Sequence, residues 1–160
     1  HAHPTERKLK HGDNILMDFG CTYNGYCSDM TRTVFYGNPS EKMLNVYNVV
    51  LEAQLNALKS IKCGMTAKQA DAFAREIFKK HNVEKYFTHG LGHGVGIDIH
   101  EIPSLNKFDN TILEQGMFVT VEPGLYFTGL GGARIEDLIL IQQDDIKNLT
   151  TSNKNIIIIQ

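Results

Sequence analysis

The spacing of apolar and polar positions divides the chain into three stretches. Residues 14–19, NILMDF, and 29–36, DMTRTVFY, carry strand-forming side chains on either side of GCTYNGYCS, and Asn24-Gly25 inside that segment is a strong hairpin signal. The period then lengthens. NPSEKMLNVYNVVLEAQLNALKSIKCG places Leu44, Tyr47, Leu51, Leu55 and Leu58 at helical spacing, with Ser40 as cap and Gly64 as stop. MTAKQADAFAREIFKKHN predicts a second helix capped by Thr66, with Ala70, Phe73, Ile77 and Phe78 on one face and Lys79 and Lys80 near its end. The strand pattern returns in MFVTVEPGLYF and GARIEDLILIQ, which flank TGLGG as a second hairpin, and KNIIIIQ reads as a buried closing strand. No low-complexity segment or shift in composition marks an internal linker, so residues 1–160 read as one unit.

Composition narrows the function classes. The chain has 160 residues, 42% of them hydrophobic, and a formal charge of −2, enough for one buried core in a soluble domain. Lys and Arg are dispersed, without a basic block or an aromatic-basic motif, which argues against nucleic acid. The apolar runs LILI at 138–141 and IIII at 156–159 are far shorter than the ~20 residues of a membrane span. No signal-peptide core is visible in HAHPTERKLKHGD, and the abrupt start raises the expectation of a longer parent. Cys21, Cys27 and Cys63 form no CxxC pair, so reduced thiols and a cytoplasmic setting are expected, with no zinc site on the cysteines.

Folding each hairpin about its turn brings acids together. Asp18 and Asp29 lie symmetrically about Tyr23-Asn24, and Glu122 and Glu136 about Gly129. Like charges opposite one another on a sheet are destabilising, and carboxylates among Met17, Phe19, Val121 and Ile135 also lose hydration, so a positive group is expected between them. The competing reading has turns and bulges shift the register and leave the acids in solvent, as for most Asp and Glu; taken singly, each acid is better read that way. Repetition argues against it, because the arrangement occurs twice with a histidine-rich segment between. Four carboxylates and an imidazole suit two divalent ions of the manganese, cobalt or zinc kind.

That segment, HGLGHGVGIDIHE at 89–101, holds three of the seven histidines. His89 and His93 have the i, i+4 spacing of a helical zinc motif, but Gly90, Gly92, Gly94 and Gly96 oppose helix, and HEIPS lacks the second histidine of HExxH. A phosphate loop fits poorly, since GxGxxG does not occur in register and no GK[ST] follows. What remains is a backbone that passes close to something, with imidazoles projecting from an irregular loop into one pocket.

MDFGCTYNGYCSDMTRTVF, HGLGHGVGIDIHEIP, VEPGLYF and GGARIEDLILI together resemble the catalytic domain of the proline-directed metallopeptidases, Xaa-Pro dipeptidase (prolidase) and Xaa-Pro aminopeptidase. The resemblance implies an α+β pita-bread fold, shared with methionine aminopeptidase, and a pair of divalent metals, with manganese expected first, held by Asp18, Asp29, His93, Glu122 and Glu136. It implies that Asp29 and Glu136 bridge the ions and that Glu122 also carries protons from water toward the leaving proline nitrogen. His89 and His100 match the histidines of the substrate pocket, and Arg134 the arginine that orients substrate and neighbouring acids, with an ordinary ion pair as its competing role. His1, in HAHPTERK, matches a substrate-facing histidine of a PHxxPT segment, although a terminal residue can equally lack a fixed place.

Within this superfamily RIEDLI is the proline-peptidase form, whereas methionine aminopeptidases end in an EHT-like segment, and creatinase-like relatives lose ligands that are all present here. The expectation is therefore a dinuclear-metal peptidase that hydrolyses the bond preceding proline, in Xaa-Pro dipeptides or in N-terminal Xaa-Pro peptides, from a parent that is a homodimer. The family's catalytic domain is longer at its N-terminus, so the first half of the pita-bread repeat is expected to be incomplete and to expose apolar surface. Two alternatives stay open: a silent pita-bread module that binds peptide without turnover, and a fragment inactive without its N-terminal region.

Overall fold

The computed structural model describes residues 6–160. Strand β1 (Asn14–Phe19) runs antiparallel to β4 (Met30–Tyr36), and the short β2 (Thr22–Tyr23) and β3 (Tyr26–Cys27) form the tip of this hairpin. Tyr23 pairs with Tyr26, so Asn24 and Gly25, both at positive φ (48° and 85°), make a two-residue turn whose twist matches the flanking strands. This turn lies one residue beyond the predicted centre of symmetry, so the register is shifted by two. Asp18 stands opposite Thr31, while Asp29 lies just before β4, outside the ladder.

Helix α1 (Glu41–Ser60) and helix α2 (Ala67–Lys80) follow, capped by Ser40 and Thr66 as expected; Thr66 and Gln69 form a reciprocal capping box. The buried face of α1 is displaced from the predicted leucine stripe. It consists of Met43, Val46, Tyr47, Val49, Val50, Ala53, Gln54 and Ala57, whereas Leu55 is exposed and Leu44, Leu51 and Leu58 are half-buried at the margin. The smaller residues win because α1 lies directly against α2 and the sheets: Ala53, Ala57, Ala70 and Ala74 leave room for close packing that leucines would fill. Helix α1 ends at Ile61, which is extended and buried, so Gly64 belongs to the link after the helix.

The second half is a five-stranded sheet in the order β11–β10–β7–β5–β6, made of β5 (Gly92–Gly94), β6 (Glu101–Leu105), β7 (Phe118–Val121), β10 (Asp137–Ile141) and β11 (Ile146–Asn148). Strands β8 (Gly124–Phe127) and β9 (Gly131–Arg134) form a ribbon that turns at Gly129, and their register places Glu122 across from Glu136 as predicted. The closing strand β12 (Ile158–Ile159) pairs parallel with β4 but is not buried, because it sits at a sheet edge with half its surface open.

The core lies between the helices and the sheets, with Phe35, Tyr47, Phe78, Leu91, Leu125, Ile135 and Ile139 almost fully enclosed. At the first hairpin Phe19, Tyr23 and Tyr26 are exposed. The two sheets meet where Glu136 N–H donates to the Thr31 carbonyl at 3.1 Å and Arg32 Nη1 donates to the Glu136 carbonyl at 2.6 Å. This seam forms the floor of a cleft of about 1430 Å³.

Candidate metal and substrate site

The glycines of HGLGHGVG serve the sheet. A Cβ on Gly92 would stand 2.0 Å from the Thr120 carbonyl oxygen, and one on Gly94 would stand 2.4 Å from that of Ile102. Strand β5 is therefore squeezed between β7 and β6, and the close approach anticipated from the glycines is to neighbouring backbone. His93 projects from this strand rather than from an irregular loop, beside a bulge between His93 and Gly94. His89, His93 and His100 nevertheless line the same cleft.

Asp29, His93 and Glu136 converge, each offering a donor atom within 4.8 Å of the others. His93 Nδ1 meets the Gly94 carbonyl at 3.0 Å, which leaves Nε2 turned toward Glu122 Oε1 (3.2 Å) and Asp29 Oδ2 (3.7 Å). Thr120 orients both partners: its Oγ accepts from His93 N–H and donates to Glu122 Oε1, each at 3.0 Å. Asp18 is placed differently. It pairs with Arg134 Nη2 and remains 46% exposed, at the rim of the cluster rather than within it.

The electrostatics describe an acid cluster short of positive charge. Burial, reinforced by Glu122, pushes Glu136 up to about 8, against the hydrogen bond from Thr31 at 2.5 Å. Asp29 is raised by burial and by Asp18. Burial also acts to raise Glu122 and to lower His93, but their mutual hydrogen bond and attraction prevail, so Glu122 lies below and His93 above its ordinary value. The opposition between Glu122 and Glu136 has a geometric cause: one is paired with the His93 imidazole and the other with the Thr31 hydroxyl.

Beside the acids, burial holds the His89 pKa low, so the ring is neutral. Its Nδ1–H donates to the Gly90 carbonyl at 2.7 Å and Nε2 accepts from Tyr126 OH at 2.9 Å. Arg134 Nη1 donates to the same Tyr126 oxygen at 3.3 Å, while Arg134 Nε donates to Thr31 Oγ at 3.0 Å. Arg134 thus joins Asp18, Thr31 and Tyr126. The ring of His100 lies 4.2 Å from that of His93, centroid to centroid. His1 lies outside the described residues.

Sequence reasoning overlooked Thr31, Thr120 and Tyr126. A hydroxyl in a strand resembles any other polar alternation, and only the pairing of β4 with the start of β10 brings Thr31 to Glu136. It also overlooked Asp71 and Arg75, for which a signal existed: two charges at i, i+4 on the face of α2 that carries Ala67, Ala74 and Phe78.

Comparison with known proteins identifies the family and the fold. The profile of metallopeptidase family M24 matches residues 1–143. The Xaa-Pro dipeptidase of Pyrococcus furiosus is 45% identical over 157 residues, covering 98% of this chain and 45% of that protein. Among solved structures, the Xaa-Pro dipeptidase from Bacillus anthracis superposes with a TM-score of 0.95 at 46% identity, covering 97% of this chain and 44% of that one. The X-Pro aminopeptidase from Thermotoga maritima gives 0.91 at 40% identity, covering 94% and 43%. The chain spans a little under half the length of these relatives. With its α+β pita-bread architecture and its convergent acid–histidine cluster, the chain belongs to metallopeptidase family M24.

Proposed function

We propose that this chain is the catalytic region of a peptidase that hydrolyses the bond preceding proline, in Xaa-Pro dipeptides or at the start of Xaa-Pro peptides, with two divalent ions, manganese first among them. The observation that carries this reading is the convergence of Asp29, His93 and Glu136 in the cleft, with Glu122 on His93 and Asp18 at the rim. The donor set fits such ions: it offers hard carboxylate oxygens and one imidazole nitrogen, and burial together with Glu122 raises Glu136 to about 8, so a cation beside it would favour the ionised form. Asp18, Asp29, His93, Glu122 and Glu136 would hold the metals, which when bound polarise the scissile carbonyl and make water a stronger nucleophile at neutral pH.

The chain's own groups handle substrate and protons. Glu122, ionised and fixed by Thr120, is placed to accept a proton and return it to the proline nitrogen as that nitrogen leaves. His89, kept neutral and aimed by Tyr126, and His100, against His93, are the candidates for contact with the peptide around the scissile bond. Arg134 holds Asp18 and Tyr126 in fixed relation and so orients acids and substrate together. A cytoplasmic, homodimeric parent accompanies this reading, in keeping with the free thiols of Cys21, Cys27 and Cys63.

The test is proline release from an Xaa-Pro dipeptide and an Xaa-Pro-Xaa tripeptide by the full-length parent, after chelation and after manganese is restored. Manganese-dependent release is expected, and the preferred substrate separates dipeptidase from aminopeptidase. Release from neither substrate would overturn the proposal.

A further inference from the structure

Helix α2 carries a charged pair on its apolar side. Asp71 is 1% exposed and lies among Ala67, Ala70, Ala74 and Phe78; Arg75, one turn on, donates from Nε to Asp71 Oδ2 at 2.5 Å. Enclosing both charges forfeits their hydration, and apolar residues of similar shape would pack there at no such cost. The other bonds of the pair show what it holds.

Arg75 Nη2 donates to the His89 carbonyl at 2.8 Å, and Asp71 Oδ1 accepts from Leu91 N–H at 3.1 Å, a donor shared with the Leu105 carbonyl. The pair therefore grips the chain on both sides of Gly90. The Arg75 guanidinium also covers the Phe87 ring at 4.5 Å, and Phe87 meets the His89 imidazole edge-on at 4.9 Å. From the opposite side, Leu91 passes the restraint onward, since its carbonyl accepts the Glu122 N–H at 2.7 Å. His89 itself precedes β5 and its ladder. Its backbone is held by α2, and its ring lies between Phe87 and Tyr126.

We propose that Asp71 and Arg75 form a positioning pair that fixes, from behind the sheet, where the His89 imidazole stands in the cleft. The consequence for turnover rests on the reading of His89 as a substrate-facing group. A pair serving stability alone would lower the melting temperature when broken but leave the folded protein's His89 ring where it was. A positioning pair moves the ring in a protein that is still folded and still binds metal, and misplacement by about 1 Å can cost on the order of a hundredfold in rate.

The test uses the full-length parent carrying Arg75→Gln or Arg75→Lys, with histidine ring signals followed by NMR in metal-free protein and the His89 signals assigned by their loss in His89→Gln. Arg75→Gln is expected to shift the His89 signals, keep manganese affinity within about twofold of wild type by calorimetry, and lower kcat/KM on an Xaa-Pro dipeptide by about tenfold or more. Arg75→Lys, which keeps the charge but loses the planar fork, recovers part of that loss. Unchanged His89 signals in folded Arg75→Gln overturn the proposal, as does a loss of activity explained by metal affinity alone. Should Arg75→Gln fail to fold, Arg75→Lys and Asp71→Asn carry the same readout, and unchanged His89 signals in both overturn it. If the wild-type parent releases no proline while the His89 signals still shift in the variant, the positioning pair stands and the proposed function falls.

Discussion

Replacing Glu136 by Gln keeps the side chain's shape and an oxygen to accept the Thr31 hydroxyl, but removes the buried ionisable group. In the metal-free folded protein this carboxyl titrates at about 8 rather than at 4.5, because it is buried beside Glu122 and Asp29. Its folded pKa lies above its unfolded one, so between those values the folded state keeps a proton that the unfolded chain has released. The contribution of this group to stability is therefore fully present below 4.5, falls as pH rises, and is gone above about 8. At ~1.36 kcal/mol per tenfold change in proton affinity, the drop across this window is of the order of 4–5 kcal/mol, a large share of a typical domain's stability. Asp29 and His93, both raised, contribute in the same direction, Asp29 from the ordinary carboxylate range upward and His93 from about neutral upward. Glu122, lowered, acts oppositely, and only as pH falls below its ordinary value. The assay is urea unfolding in chelator at pH 5, 7 and 9. Wild type should weaken steadily with pH while Glu136→Gln loses most of that slope, so that the variant is the more stable protein at pH 9. Parallel curves would refute the reasoning.

Metal should offset part of the wild-type drop: at manganese a hundredfold above its dissociation constant, stability at pH 8 should rise by about 2.7 kcal/mol, and Glu136→Gln should show little of this gain in thermal melts. Gln54 is fully buried in α1 with neither amide atom hydrogen-bonded among the described residues, so Gln54→Met should raise stability by about 1–3 kcal/mol in denaturant titration, and a loss instead would reveal a water or partner on the amide. Gly92→Ala should fold poorly or lose more than about 3 kcal/mol, because its methyl meets the rigid Thr120 carbonyl; a normal melting curve would contradict the squeezed strand. Tyr126→Phe should leave the melting temperature within a few degrees yet slow proline release by about tenfold, since His89 Nε2 loses its donor and Arg134 an acceptor; unaltered kinetics would remove Tyr126 from the site.

The sequence disclosed those parts of the molecule whose cause is local. Asn24-Gly25, Ser40 and Thr66 each act within a few residues, and each marks a turn or cap in the structure. The second hairpin could be folded on paper because its turn centres on Gly129, but the first could not, because the two-residue turn at Asn24-Gly25 lies one residue beyond the assumed centre, which moves the pairing by two and sends Asp18 across from Thr31. The buried face of α1 was misread for a tertiary reason: Leu55 is more hydrophobic than Ala53 or Ala57, yet only the alanines fit against a second helix. In the site, residues that carry charge or an imidazole were visible, whereas the hydroxyls that aim them were not. Thr31 meets Glu136 across 105 positions and Tyr126 meets His89 across 37, and no spacing rule spans those separations.

The seam between the two sheets has a mechanical consequence. Asp18 and Asp29 come from one sheet's hairpin and His93, Glu122 and Glu136 from the other side, so the distance between donor groups is the width of a joint. Arg32 rivets that joint: it bonds the carbonyls of Thr31 and Glu136, pairs with the buried Asp137, and reaches the carbonyls of Ser152 and Asn153 in the tail. A stiff joint admits ions of one radius and rejects others by elastic strain, whereas a slack one adapts to whatever is abundant. If the proposed ions bind here, their preference would depend on how rigidly Arg32 holds the seam as well as on the donor groups, and a substitution at Arg32 would test this without touching a donor atom.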